Sequence, residues 1–452
     1  MFNKILIANR GEIAVRIIRA CRELGIRTVA VCSEADKMAL HAQIADETIC
    51  IGAPASSDSY LNMQAVLSAC EVTGAEAVHP GFGFLSENSG FARLCERCEV
   101  KFIGPSAASI ERMGDKANAK TTMKNANVPV VPGSDGAITS MSEAKKIARL
   151  VGYPVMVKAS AGGGGRGIRR VETEDELEAG IIAAQQEALK FFGDDTVYLE
   201  KFIVDPRHIE IQILGDEHGN VIHLGERDCS LQRRNQKMIE ESPSPSPLMT
   251  DELRAKMGAA AVRAAKAVGY YNAGTIEFLL DANGDFYFME MNTRVQVEHP
   301  VTEFVTGVDI VQEQIRIAAG LPLLLKQSDV TLCGHSIECR INAENPALGF
   351  RPSPGTITSL HIPGGPGVRI DSAMYAGYTI PPYYDSMIAK LIVYAPTRAQ
   401  ALAKMHWALA EFLVEGVDTN IDFHLGLLRD PDVESGNFDI GYIERRMNKG
   451  VN

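Results

Sequence analysis

The chain has 452 residues, 46% hydrophobic and 23% charged, ordinary proportions for a globular protein of about three domains at roughly 150 residues each. Its 45 Lys and Arg against 57 Asp and Glu leave a net charge of −12, which argues against non-specific nucleic-acid binding. No stretch reaches the roughly 18 apolar residues that a membrane helix needs, and the N-terminus lacks signal-peptide features, so a cytoplasmic protein with nine reduced cysteines is expected.

In chain order, a strand at 4–8, a helix at 12–24 and a strand at 28–32 form a βαβ unit and hence a parallel sheet. Further strands are expected at 48–51, 77–79 and 101–103, with helices at 60–71 and 90–96. The pattern is Rossmann-like, but the first turn reads Asn9-Arg10-Gly11-Glu12 instead of GxGxxG, so no dinucleotide site is expected. Cys95 and Cys98 form one CxxC without the partners a zinc site requires. A Pro/Gly stretch at 128–136 reads as a hinge. Beyond it come a helix at 142–150, a strand at 154–158, a glycine loop, another helix and a strand at 196–203. From Arg207 the alternation becomes period two, which predicts antiparallel strands. A Pro/Ser-rich loop at 241–247, a helix at 251–268 and a hairpin follow, and strands resume after Leu325 between Pro-rich turns.

Five segments carry chemistry. Lys158-Ala159-Ser160-Ala161-Gly162-Gly163-Gly164-Gly165-Arg166-Gly167 places four glycines after a strand, a loop able to donate backbone N–H groups to phosphates although it is not GxxxxGK[ST]. In the hairpin, a two-residue Asn283-Gly284 turn sets Glu277 opposite Glu290 and Thr275 opposite Asn292. Facing carboxylates need a neutralising group, and a hard divalent cation such as magnesium or manganese supplies one. If the chain stays extended, Glu290, Asn292, Arg294, Gln296 and Glu298 share one face, with Glu298 as a general base whose pKa is set by Arg294 and burial. His208, Glu210 and Gln212 form a polar face opposite Ile209, Ile211 and Ile213, and residues 226–237 form a basic, amide-rich run suited to small anions. In Ser336-Ile337-Glu338-Cys339-Arg340-Ile341-Asn342, Arg340 is the candidate to hold a developing oxyanion. Together these require ATP with metal, an anionic co-substrate, a base and oxyanion-stabilising arginines.

At these residues the chain closely resembles the biotin carboxylase family within the ATP-grasp enzymes. The resemblance runs from Ile7-Ala8-Asn9-Arg10-Gly11-Glu12-Ile13-Ala14 to Pro381-Pro382-Tyr383-Tyr384-Asp385-Ser386-Met387, through His79-Pro80-Gly81-Phe82-Gly83-Phe84-Leu85-Ser86-Glu87, Met113-Gly114-Asp115-Lys116, the glycine loop and the stretch from Glu290 to Thr302. It implies a mixed α/β and α+β fold: a Rossmann-like domain at 1–114, an ATP-grasp domain at 115–325 with a mobile glycine-rich lid at about 131–203, and a C-terminal α+β domain at 326–452. It implies that Lys116, Lys158, Gly164, Gly165 and His208 contact ATP and that Glu200, Lys201, Phe202 and Ile203 hold the adenine. Glu277, Glu290 and Asn292 would bind two Mg2+ or Mn2+ ions, the two acids also facing ATP. Lys237, Arg294, Gln296, Val297 and Glu298 would hold bicarbonate, and Gly83, Gln232 and Arg340 biotin. Arg294, Glu298, Lys237 and Arg340 would be catalytic.

The implied reaction is ATP-dependent carboxylation of biotin on a carrier protein, the first half-reaction of acetyl-CoA carboxylase in fatty-acid synthesis. A pyruvate carboxylase or other acyl-CoA carboxylase subunit is the alternative, and a different ATP-grasp carboxylate–amine ligase a more distant one. A biotin carboxyl carrier protein and carboxyltransferase subunits are the implied partners, with a homodimer as the implied assembly. The chain ends at Asn452 with no Ala/Glu-Met-Lys-Met biotin-attachment sequence, so a separate subunit is expected. Three positions depart from the family pattern: Asn235 in place of His, Phe82 in place of Tyr, and Ala161 in place of the first glycine.

Overall fold

Ile5, Leu6 and Ile7 are completely buried, because β1 (Lys4–Ile7) is the middle strand of a sheet covered on both faces. That sheet also contains β2 (Arg27–Ser33), β3 (Glu47–Gly52), β4 (Ala77–His79) and β5 (Lys101–Phe102) in the order β3-β2-β1-β4-β5. Every pairing in it is parallel, as the βαβ pattern requires. The helix α1 (Gly11–Glu23) follows the first strand through Gly11 at φ +66°, a left-handed backbone that glycine adopts without strain. The computed structural model describes residues 1–159 and 168–449, without the side chains of Ala117, Phe191 and Phe192. The glycine-rich segment 160–167, with Ala161, Gly164 and Gly165, lies outside the described residues.

A small antiparallel sheet of β6 (Val155–Ala159), β7 (Ile168–Val171) and β8 (Val197–Lys201) has the order β7-β6-β8. It packs Val155, Val157 and Leu199 against Ala144 and Ala148 of one helix and Leu177, Ile181 and Ala184 of another. The largest sheet is wholly antiparallel. It comprises β9 (Arg207–Gly215), β10 (Val221–Arg233), β11 (Gln236–Ser242), β12 (Asn272–Leu280), β13 (Phe286–Asn292), β14 (His335–Asn342) and the strands Met387–Ala395 and Val368–Ser372. Its order is β13-β12-β9-β10-β11-β14, then Met387–Ala395 and Val368–Ser372, so strands from both sides of residue 325 share one ladder.

Alternation along β9 sends Ile209, Ile211 and Ile213 into an apolar cluster with Met257, Ala260, Ala261, Ala264 and Ala265 of the helix Asp251–Ala267. The small alanines let the helix approach the sheet closely. β9 is buried on both faces, so its polar side chains are enclosed instead of solvated.

The hairpin brings Glu277 against Glu290 and Thr275 against Asn292, but not through a two-residue turn. Leu280 pairs with Phe286 and Asp281 N donates to Asp285 O at 2.9 Å, leaving the three-residue loop Ala282-Asn283-Gly284. Asp281 Oδ1 accepts from the amides of Asn283 (2.9 Å) and Asp285 (3.0 Å), and these bonds favour the longer turn. That loop moves the register by one residue, and a bulge at Met289 moves it back.

Ile211→Ala, at the centre of this core, is expected to cost about 2–5 kcal/mol, read as a lower urea midpoint with unchanged slope. Leu150→Ala, at an 84% exposed position, is expected to change stability by less than about 0.5 kcal/mol.

Candidate active site

Four neighbouring elements deliver their polar side chains to one buried space. β9 supplies His208, Glu210 and Gln212, β12 supplies Glu277, β11 supplies Lys237, and the segment after β13 supplies Gln296 and Glu298. Lys237 Nζ lies 2.6 Å from Glu210 Oε2, 2.9 Å from Glu277 Oε1 and 2.6 Å from Glu298 Oε1. Glu277 Oε1 also accepts from Asn292 Nδ2 and Gln296 Nε2, each at 2.9 Å, and its Oε2 lies 3.3 Å from His208 Nε2. Arg340, from β14, reaches Glu298 Oε2 with Nη2 at 3.0 Å and Glu240 Oε1 with Nε at 2.6 Å.

Burial opposes the charge on Glu298, but Lys237 and then Arg340 outweigh it and hold its carboxyl well below the usual carboxylate range. Burial also opposes the charge on Glu277, and Lys237 with His208 depresses that carboxyl too. Burial works against the Lys237 ammonium, yet the three carboxylates hold it well above its ordinary value. Glu290 differs: burial first, then Glu277, pushes its carboxyl up, and its nearest cation, Lys116 Nζ, is 3.8 Å away. This is the residue set a divalent ion fits. Two acids face each other, one of them poorly compensated, with the Asn292 amide beside them. His208, Glu210 and Glu277 also place donor atoms within 4.8 Å of one another.

The extended geometry expected from Glu290 to Glu298 ends at Asn292, the last residue of β13. Thr293 N is held by Glu87 Oε1 at 2.9 Å, Val295 is fully buried in the core, and a helix begins at His299 with Pro300 in its first turn. The chain turns inward, so that Glu298 still reaches Lys237 while Gln296 reaches Glu277 and Arg227. Arg294 does not touch Glu298. Its Nε bonds Glu87 Oε2 at 2.9 Å and its Nη2 bonds Asn292 Oδ1 at 2.8 Å, so Lys237 and Arg340 set the ionisation of Glu298 in place of Arg294.

The remaining expected residues fall into two groups. Gln232 is the register partner of Lys237, and Gly83 lies in the same loop as Glu87, with its carbonyl accepting from Ser86 N at 2.9 Å. Val297 O accepts from the buried Lys390 Nζ at 2.8 Å. Lys158 Nζ (2.5 Å) and Lys120 Nζ (2.8 Å) both bond Glu200, next to Lys201, Phe202 and Ile203 at the end of β8. Lys116 is exposed beside Glu290.

Arg227 was assigned by the sequence only to an anion-binding run. It is wholly buried and donates to Glu210, Gln212 (2.8 Å), Thr302 (3.0 Å), Thr275 (3.1 Å) and Gln296 (2.7 Å), so all of its nitrogens are committed to protein. Its register with Glu210 depends on a bulge between His223 and Glu226, which no residue pattern announces. No residue pattern singles out Glu87 or Lys390 either. Asn235 and Arg234 form the turn between β10 and β11 at φ +62° and +49°, a left-handed backbone that suits asparagine at its position.

Family models match residues 1–110 (Biotin carboxylase, N-terminal domain), 115–326 (Carbamoyl-phosphate synthase L chain, ATP binding domain) and 338–445 (Biotin carboxylase C-terminal domain). The chain is 60% identical over 445 residues to Biotin carboxylase 1 of Bacillus subtilis, covering 98% of each chain. It is 55% identical to a pyruvate carboxylase subunit of Methanothermobacter thermautotrophicus, covering 98% of this chain and 90% of that one. Among solved structures, the biotin carboxylase domain dimer of Hydrogenobacter thermophilus 2-oxoglutarate carboxylase, in complex with MgADP, ADP and bicarbonate, is 54% identical. It superposes with a TM-score of 0.89 and covers 99% of this chain and 98% of that one.

Glu277 and Glu298 have folded-state values below their unfolded ones. Their contribution to stability is therefore complete above the unfolded value and is lost as pH falls through the folded value. Lys237→Met raises both folded values, so the acid-unfolding midpoint followed by circular dichroism is expected at a higher pH. An unchanged midpoint would show that Lys237 does not control these carboxyls.

Proposed function

The chain belongs to the biotin carboxylase family of ATP-dependent ligases, and from that premise we propose that the Lys237–Glu298–Arg340 arrangement carboxylates biotin carried on a separate protein. The observation that supports this most directly is a buried carboxylate held between two cations of different elements, one beside the facing pair Glu277 and Glu290, the other on the far side.

Glu298 takes the proton of bicarbonate as Lys237 and Arg340 shift from it to the incoming anion. The bicarbonate oxygen attacks the γ-phosphorus of ATP, giving carboxyphosphate and ADP, while Lys237 and Lys116 neutralise developing charge and His208 contacts ATP. Glu277, Glu290 and Asn292 would hold two magnesium or manganese ions, which supply further neutralisation of the phosphates when bound. Carboxyphosphate breaks into CO2 and phosphate, and the phosphate takes the N1 proton of biotin. Arg340 stabilises the resulting enolate as N1 attacks CO2. Arg294, held by Glu87, orients bicarbonate together with Gln296 and Val297. Lys158, Gly164 and Gly165 contact the ATP phosphates, and Glu200, Lys201, Phe202 and Ile203 hold the adenine. Gly83 and Gln232 border biotin. The glycine-rich lid at about 131–203 closes over the intermediate and excludes water.

We assign the reaction to acetyl-CoA carboxylase, with a biotin carboxyl carrier protein and carboxyltransferase subunits as partners. The full-length match to a relative named simply as a biotin carboxylase favours this reading. The match to a pyruvate carboxylase subunit supports pyruvate as the second choice of acceptor. A homodimer is proposed from the dimeric relative. No helix among the described residues is long and apolar enough to cross a membrane, and all nine cysteines are free, which supports a reducing compartment such as the cytoplasm.

The test is ADP release with ATP, magnesium and bicarbonate, with and without free biotin. Biotin is expected to stimulate turnover. Glu298→Gln is expected to lower kcat about 10²–10⁴-fold and Arg340→Ala about 10²–10³-fold in the biotin-dependent rate. ATP hydrolysis indifferent to biotin and bicarbonate would move the chain to the carboxylate–amine ligases.

A further inference from the structure

Arg340 has a second partner that the reaction above does not use. Its Nε donates to Glu240 Oε1 at 2.6 Å while its Nη2 holds Glu298, so two carboxylates fix the guanidinium through two of its nitrogens. Glu240 lies on β11, and its register partner on β14 is another acid, Glu338, two residues before Arg340. Both acids are wholly buried. Glu240 Oε2 and both carboxyl oxygens of Glu338 have no hydrogen-bond partner among the described residues.

Two carboxylates facing each other across a ladder at zero exposure do not both ionise at neutral pH, since each adds repulsion to the other's desolvation. The surroundings do not cancel this. From β11 comes Lys237, already shared by three acids, and from β10 the Cys229 thiol. From β14 comes Arg340, from the segment before the helix His299–Thr306 comes Glu298, and from the strand Met387–Ala395 comes Lys390. Lys390 is itself engaged with Val297 O and lies 3.2 Å from Glu12 Oε1. Burial is the largest influence on both acids. It lifts Glu240 to about 7 and Glu338 well above the ordinary carboxyl value.

We propose that Glu240 and Glu338 act as one positioning unit that binds one proton in total and keeps Arg340 aimed at the ureido oxygen of biotin. This rests on the role given to Arg340 above. With one proton, the unit carries the single negative charge that anchors Nε, and Arg340 retains positive charge for the enolate. Loss of that proton to solvent adds a second negative charge behind the guanidinium, drawing Arg340 away from substrate and offsetting its charge. Replacing Glu240 by a neutral group removes the anchor.

The experiment measures biotin-stimulated and biotin-independent ADP release between about pH 6 and pH 9 for the unmodified chain, Glu338→Gln, Glu240→Gln and Glu240→Asp. Glu338→Gln cannot release the unit's proton, so the alkaline fall in kcat/KM for biotin is expected to lose the ionisation seen in the unmodified chain. Glu240→Gln is expected to raise KM for biotin about tenfold, the worth of one charge-assisted bond, and to lower the ratio of biotin-stimulated to biotin-independent release. Glu240→Asp is expected to recover part of that ratio. A merely structural pair would lower both rates and Tm together and leave the ratio and the pH profile alone, and that result overturns the proposal. So does failure of both Gln variants to fold. Absence of biotin-stimulated turnover in the unmodified chain overturns the functional reading itself, and the proposal with it. Stimulated turnover with identical profiles in all variants overturns only the Glu240–Glu338 unit.

Discussion

One ammonium among three carboxylates is the constraint around which the central sheet is organised. Lys237 contacts Glu210, Glu277 and Glu298, which come from β9, from β12 and from the turn after β13. Withdrawing these charges from water costs several kcal/mol per ion, and their mutual attraction roughly offsets that cost only when the geometry is close. The network therefore contributes little net stability compared with an apolar core of the same volume. Its value is chemical, in that three buried carboxylates and one ammonium stand within hydrogen-bond distance of each other. Arg227 closes the far side, binding Glu210 and Gln296 and leaving no polar atom of its guanidinium to solvent.

The apolar half of the same strands makes this possible. Ile209, Ile211 and Ile213 lock β9 beneath the alanine-rich helix Asp251–Ala267, and the alternation of the strand then leaves His208, Glu210 and Gln212 on the opposite face. Bulges adjust the aim. The extra residue at Met289 returns Glu290 to its place opposite Glu277, and the irregularity between His223 and Glu226 brings Arg227 level with Glu210.

Three parts of the chain converge on the short irregular stretch after Asn292. Glu87, from the loop following β4, holds Thr293 and Arg294. Lys390, from the strand Met387–Ala395, holds Val297 and pairs with Glu12 of α1. Helix His299–Thr306 then carries Glu303, which is paired with Arg16 of α1 and with Arg369. This segment is thus clamped by groups more than 80 residues away in either direction along the chain. The group around Glu200, in contrast, is built from the smaller sheet alone with Lys120.

By itself the sequence determined the parallel sheet at the N-terminus, the antiparallel strands after Arg207, the facing acids of the hairpin, and the residue types required for ATP, metal and an anion. These are properties of local alternation and of turn chemistry, which a single segment expresses without help from the rest of the chain. Even there the hairpin reached the right pairs through a wrong turn, because a three-residue loop and a bulge displace the register in opposite directions. Only the tertiary structure decided that Lys237, and not Arg294, governs Glu298, that Arg227 faces inward, that Glu240 meets Glu338, and that β11 and β14 join one sheet across residue 325. The reason is physical. Which charges share a desolvated space depends on the register between strands far apart in sequence, and that register is set by bulges and by packing of the opposite apolar face, neither of which is encoded in any one segment.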